Sequence, residues 1–297
     1  MFASTSIDPN RRGAVFMIGA MAAFAVEDTL FKAATHHVPV GLALLIFGGC
    51  GALIFACLAV YRRESLFPTG GLTRGLLIRG LFEFIGRLFF GLALAFADLS
   101  TTSAILQATP LVVVAGAVVV FGERVGWRRW LAIAIGLLGV MLVLRPDGAS
   151  LNPTALFAVL GMLGFAGRDL TTRATPQSVT NAQLGVLGYV ALTLAGGTVH
   201  LAIGTPLAVP ATGPALQLIA AAVVGVVAYS SLTAAMRTGD VSVVTPFRYT
   251  RLVFALALAM VVFGERPDAM MLLGSALIVG SGVFTLARSG KQPAALN

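Results

Sequence analysis

The chain has 297 residues, of which 58% are hydrophobic and only 11% charged, with a formal net charge of +8. A typical soluble domain carries roughly 25% charged residues, so this chain lacks the polar side chains needed to cover a water-exposed surface. The composition excludes an ordinary soluble enzyme, a disordered segment and a nucleic-acid binder, and assigns the basic excess to the flanks of membrane spans.

A helix needs about 20 apolar residues to cross the roughly 30 Å hydrocarbon core. In chain order, ten stretches fit: 12–34, 40–61, 74–97, 100–121, 128–144, 152–174, 181–203, 213–236, 242–263 and 268–287. The expectation is an all-α integral membrane protein of ten transmembrane helices. Arg11 and Arg12 precede the first stretch in the order of a signal peptide. Its apolar run is too long for one, and the span is read as retained. With both termini inside, the inner segments carry twelve Lys and Arg and the outer segments three. That asymmetry places both termini in the cytoplasm.

Ionisable residues inside spans are costly and face a cavity or a partner. Span 1 carries Glu27, Asp28 and Lys32 near its outer end. Span 3 carries Glu83 and Arg87 one helical turn apart, about 13 and 20 Å deep at 1.5 Å per residue. They fit either a self-neutralising pair or a site where Arg87 holds a substrate carboxylate and Glu83 an ammonium. Phe84 is among the aromatic residues flanking them. Span 4 holds Gln107, Thr109 and Pro110, and span 6 holds Arg168, Asp169 and Arg173 near its inner end. Span 8 holds Tyr229 with several hydroxyl residues, and span 9 holds Arg248, Tyr249 and Arg251 just after Pro246. Two arginines and a tyrosine beside a proline break suit an anionic substrate group.

Phe121-Gly122-Glu123-Arg124 recurs as Phe263-Gly264-Glu265-Arg266, an offset of 142 that also pairs Asp98 with Asp240 and Ser100 with Ser242. An offset of 141 pairs Phe24 with Phe165 and Asp28 with Asp169, and sets Lys32 opposite Arg173. A shared apolar background does not repeat a charged tetrapeptide. The chain therefore reads as two five-span halves, residues 1–147 and 148–297. Five is odd, so the halves have inverted topology, a recurrent plan of secondary transporters. The repeat makes Glu27, Asp28 and Lys32 candidates for an outer ion-pair gate, and Arg168, Asp169 and Arg173 for an inner one. Ordinary interfacial anchoring is the plainer reading. The Glu-Arg pairs read as caps of tight turns, and the glycines Gly161, Gly164, Gly167, Gly274, Gly280 and Gly282 as packing positions.

Ten spans, two repeats and a Gly-Glu-Arg ending the fourth span of each repeat resemble the drug/metabolite transporter superfamily, in its EamA-type branch. The resemblance covers roughly residues 12–287. It implies a ten-helix basket around a central cavity and export of metabolites, amino acids or drugs from a bacterial inner membrane. Within the family the chain is similar to amino-acid exporters, aromatic ones included. The expected substrate is a hydrophobic or aromatic amino acid, with drugs and nucleobase or nucleoside metabolites as the alternative. The substrate-site candidates are Glu83, Phe84, Arg87, Gln107, Tyr229, Arg248, Tyr249 and Arg251.

No phosphate-binding Gly-Lys-Ser/Thr loop, metalloprotease motif or nucleophile elbow is present. Three scattered histidines make no metal site. No enzyme, cofactor, metal, nucleic acid or ATPase subunit is expected; the partners are a small-molecule substrate and the bilayer. An intramembrane lipid-modifying enzyme, or a channel, is the competing class. Charges paired symmetrically between the halves disfavour the enzyme.

Overall fold

The computed structural model describes residues 9–68, 71–122, 126–144, 154–173, 178–238 and 244–289. All regular structure among them is helical. The first half contributes α1 (Pro9–Thr35), α2 (Val40–Tyr61), α3 (Arg74–Phe96), α4 (Leu99–Leu106), α5 (Thr109–Phe121) and α6 (Trp127–Leu144). The second contributes α7 (Ala155–Arg173), α8 (Asn181–Ile203), α9 (Thr212–Thr238), a 3-10 turn (Thr245–Tyr249), α10 (Thr250–Phe263) and α11 (Ala269–Ser289).

Eight of the ten expected spans appear as one helix each. The other two are broken. Residues 100–121 divide into α4 and α5 at Gln107 and Ala108. Pro110 stands in the first turn of α5 and lacks the N–H that the Leu106 carbonyl would take, and the Thr109 hydroxyl donates to that carbonyl instead. The ninth span, in its described part, starts as the 3-10 turn around Pro246 and becomes α-helical at Thr250. The repeat offset carries α5 almost residue for residue onto α10. Both end on a left-handed glycine, Gly122 and Gly264, each at φ 65°, a conformation open to glycine without a Cβ penalty.

Among the described residues, six helical segments are long and apolar enough to cross a membrane by themselves, the joined α4–α5 among them, while 130–144 and 269–284 are apolar but shorter. Arg79, Glu83 and Arg87 remove α3 from that set. Arginines and a break remove 245–263. Thus α3 and 245–263 leave that set through their charges and the break, and α6 and α11 through shorter apolar runs among the described residues.

The four most extensive packings are α1 on α9, α2 on α8, α3 on α7 and α6 on α11. Exchanging the halves maps this set onto itself. Equivalent helices also run in opposite directions. Along α2 and α8, Gly41 abuts His200 whereas Gly51 abuts Tyr189. Between α6 and α11, Gly139 and Gly274 touch through their backbones, so a Cβ on either would sit 2.6 Å from the other's carbonyl oxygen. Lipid is as apolar as leucine, so close packing takes over from hydrophobic drive in holding such helices. Gly164 likewise lies on the backbone of Gly86. Gly280, expected to pack, instead faces open space.

Polarity is reversed relative to a soluble protein. Leu53, Val60, Val119 and Leu201 are exposed on the outside, whereas Glu27, Asp28, Lys32, Arg79 and Glu83 are buried.

Candidate functional site

Helical spacing puts Arg79, Glu83 and Arg87 on one stripe of α3. Glu83 accepts from Arg79 Nη2 at 3.3 Å and from Arg87 Nε at 3.1 Å. Antiparallel α7 brings Arg168 Nη1 to 3.5 Å from the same carboxylate. Arg168 also donates to Asp169 at 2.7 Å, and Arg79 Nε to the Thr172 hydroxyl at 2.9 Å. Glu83 is thus enclosed by three guanidinium groups. Of the two roles its spacing fitted, the contacts seen are those of the ion pair, widened to a network in which cations of the protein compensate its charge.

A second pair crosses the halves. Arg251 of α10 donates to Asp28 of α1 at 2.6 Å. Its guanidinium stands 5.0 Å from the Phe24 ring and 5.8 Å from Phe90. Phe90 meets Phe165 at 5.6 Å. Phe165 lies under Arg168 at 4.7 Å and Arg87 at 6.0 Å, and Arg87 also faces Tyr189 at 5.4 Å. The rings therefore join the two arginine groups into one site. Arg87 and Arg251 are each about 15% exposed, enough to present a face to a solute.

Glu27 is the exception among these acids. It is 4% exposed, and its Oε2 has no hydrogen-bond partner among the described residues. Its carboxylate and the Tyr189 hydroxyl both lie against Gly225 of α9. The cations whose charge reaches it are Arg87 and Arg251. A buried carboxylate oxygen left unpaired costs several kilocalories per mole, so this is the position most in need of a donor.

The helix breaks carry further unpaired atoms. Ser103 Oγ, Gln107 Nε2, Thr245 Oγ1, the Tyr249 hydroxyl and Arg251 Nε are buried without partners among the described residues. The 142 offset pairs Ser103 with Thr245 and Gln107 with Tyr249. The Tyr249 hydroxyl lies against Gly282 of α11. Arg248 is half-buried on the 3-10 turn. Tyr229 sets its ring on Phe55 at 5.5 Å, in the aromatic wall that also contains Tyr189. Phe84 is half-buried on α3 and takes no part in the ring contacts of the arginine cluster among the described residues.

The expected outer ion-pair gate of Glu27, Asp28 and Lys32 is not formed. Asp28 goes to Arg251, Glu27 Oε2 has no partner among the described residues, and Lys32 Nζ donates to the carbonyls of Ala97 at 2.5 Å and Leu94 at 3.3 Å. The helix turns Asp28 inward, toward the neighbouring halves, and Lys32 toward the end of α3. Lys32 also stands over Phe263 at 5.4 Å. Close by, Glu265 accepts from the backbone N–H groups of Leu99 and Ser100 at 2.8 and 2.9 Å, and from the Ser100 hydroxyl. Expected to cap its own turn, Glu265 does so with its backbone N–H, which donates to the Ala259 carbonyl at 3.1 Å, while its side chain caps α4 in the opposite half. The inner candidates divide: Arg168 and Asp169 pair with each other and join the Glu83 cluster, while the Arg173 side chain, with Glu123 and Arg124, lies outside the described residues.

Residues missed from the sequence are Phe24, Phe90, Phe165, Tyr189 and Arg79. A signal existed for two: Phe24 and Phe165 are repeat partners, and each sits beneath an arginine.

A model of the EamA-like transporter family matches residues 11–145 and again 152–287. A riboflavin transporter from Rhizobium johnstonii is 29% identical over 95% of this chain and 94% of its own length. An S-adenosylmethionine uptake transporter from Rickettsia prowazekii is 26% identical over 70% of each chain. A pseudopaline exporter from Pseudomonas aeruginosa is 24% identical over 92% of this chain and 95% of its own. One solved crystal structure superposes with a TM-score of 0.65 at 20% identity, covering 94% of this chain and 99% of that one. That likeness concerns the fold alone.

Proposed function

The chain belongs to the EamA-like transporter family, and from that premise we propose a secondary carrier that moves a zwitterionic organic solute by alternating access between two inverted five-helix halves. It is a multi-pass membrane transporter and not an enzyme. The halves, residues 1–147 and 148–297, act as one unit of ten spans. The antiparallel pairings of α2 with α8 and α6 with α11 support the inversion. The charge asymmetry supports a bacterial inner membrane with both termini in the cytoplasm.

One observation carries the substrate reading. Arg87 and Arg251 present guanidinium faces over aromatic rings, and beside them Glu27 has a carboxylate oxygen with no partner among the described residues. A substrate carboxylate suits the arginine forks. Its ammonium suits Glu27, and an apolar or aromatic side chain suits Phe90, Phe165 and Tyr189. That is a hydrophobic or aromatic amino acid. Gln107, Tyr249 and Arg248 extend the site at the helix breaks, where discontinuous helices of such carriers hold solutes. Tyr229 and Phe84 flank it. Glu83 holds the arginines in place.

Lys32 and Glu265 form the outer gate in this reading, tying α1, the α3–α4 junction and the α10–α11 turn together. Release of that end opens the outward path, with Arg168, Asp169 and Arg173 acting at the opposite end. Alternating access is reversible. Export is the direction we assign, and the solute gradient or an exchanged solute drives it.

A flat heteroaromatic solute is the second reading. The whole-length likeness to a riboflavin transporter and the ring-lined arginines favour it. Counterflow in proteoliposomes separates the two. Labelled phenylalanine should accumulate, and accumulation should be lost in Arg251→Ala and Glu27→Gln. Riboflavin counterflow without amino-acid counterflow would replace the first reading with the second.

A further inference from the structure

Outside the central site, a groove of about 530 Å³ lies between α6 and α11. Leu131, Leu277 and Phe284 supply apolar wall, and Trp127 and Arg128 stand at one end. Gly280 opens the floor: a Cβ there would meet nothing within 4 Å. The Arg128 guanidinium lies 5.3 Å from the Trp127 ring, and Trp127 is 70% exposed. None of the groove's lining residues belongs to the arginine cluster, which is built on α1, α3, α7 and α10.

An apolar groove on the bilayer face of a membrane protein is filled by lipid or by another protein. Indole groups settle at the headgroup level, so Trp127 marks the depth at which this groove meets the lipid phosphates. Arg128 is therefore positioned at phosphate height, beside a slot with the chemistry of an acyl chain. Basic pockets between membrane helices select anionic headgroups. We propose that the α6–α11 groove is a binding site for an anionic phospholipid, one acyl chain lying along Leu131, Leu277 and Gly280 and the headgroup phosphate held by Arg128. A second copy of this chain is the poorer occupant, because it would bring another Arg128, which has no acid partner among the described residues, to the same face.

The protein's two tryptophans are Trp127 and Trp130, so Trp130→Phe leaves one reporter at the groove mouth. Its fluorescence is titrated in mixed micelles with phosphatidylglycerol or phosphatidylcholine carrying brominated acyl chains. Brominated phosphatidylglycerol should quench at roughly fivefold lower mole fraction, the factor expected for one basic residue at a lipid surface. Arg128→Gln in that background should abolish the preference, and Arg128→Lys should retain it. Equal quenching by both lipids with Arg128 intact would overturn the proposal. So would no quenching by either lipid together with a disulfide-linked dimer of Gly280→Cys, which would give the face to a second copy. Phenylalanine counterflow is unaffected by Arg128→Gln in this proposal, so its outcome is separable from that of the substrate reading.

Discussion

The Glu265 carboxylate receives a 2.5 Å hydrogen bond from the Ser100 hydroxyl, across 165 residues of chain and between the two halves. The same carboxylate takes the first free N–H groups of α4, so a repeated tetrapeptide closes its own turn through its backbone and the opposite half through a side chain. An anion at a helix N-terminus is favoured by the unpaired amides and the helix dipole. Hydrogen bonds to charged groups contribute about 1.5–3 kcal/mol. Glu265→Gln should therefore shift the carrier toward an open outer end by roughly tenfold or more. In a background lacking Cys50 and Cys57, a cysteine at Ser103 should then label several-fold faster with an impermeant thiol reagent. Unchanged labelling would remove Glu265 from the gate.

Lys32 acts at the same end through carbonyl oxygens of α3, not through an acid. Lys32→Met keeps the length of the stem and removes the donor. It should produce the same labelling increase as Glu265→Gln. The double variant should add less than the sum of the two, because both act on one closure.

Glu83 is the hub of three arginines. Removing one partner of a buried ion pair costs about 3–5 kcal/mol, because the remaining charges lose their compensation. Glu83→Gln should lower unfolding stability by about that amount. Asp169→Asn, at a side chain roughly a quarter exposed, should cost markedly less. Equal losses in chemical unfolding of the two variants would show that Glu83 is no hub.

Glu27 behaves in the opposite sense. Glu27→Gln exchanges a buried carboxyl oxygen that has no partner among the described residues for an amide of the same size, so stability should hold or rise. Counterflow of phenylalanine should fall about tenfold or more, whereas an analogue lacking the amine should lose little. The test is the ratio of the two solutes in one preparation of protein.

Phe24 and Phe165 are repeat partners, each beneath an arginine. Arginine over a ring is worth about 0.5–2 kcal/mol. Phe24→Leu and Phe165→Leu should each raise the half-saturating solute concentration by about two- to thirtyfold while leaving expression near wild type. No change in either would confine these rings to packing.

Much of the architecture follows from the sequence alone. Apolar run length and loop charge set the helix count, and a repeated charged tetrapeptide shows two related halves, because lipid accepts only segments that satisfy their own backbone. The proline break at Pro246 was also legible, since proline deletes a donor wherever it stands, whereas 100–121 was expected unbroken and divides ahead of Pro110. The partners of each charge were not. Glu83 with Arg87 suggested a substrate site at i and i+4 spacing, yet Arg168, 81 residues beyond Arg87, joined the same carboxylate only when α3 and α7 packed antiparallel. Asp28 and Lys32, one turn apart on α1, point to different neighbours, and Arg251 takes Asp28 while Glu27 beside it keeps an oxygen with no partner among the described residues. Charge type and depth are properties of a segment. Which charge neutralises which is a property of helix rotation and packing, and that exists only in three dimensions.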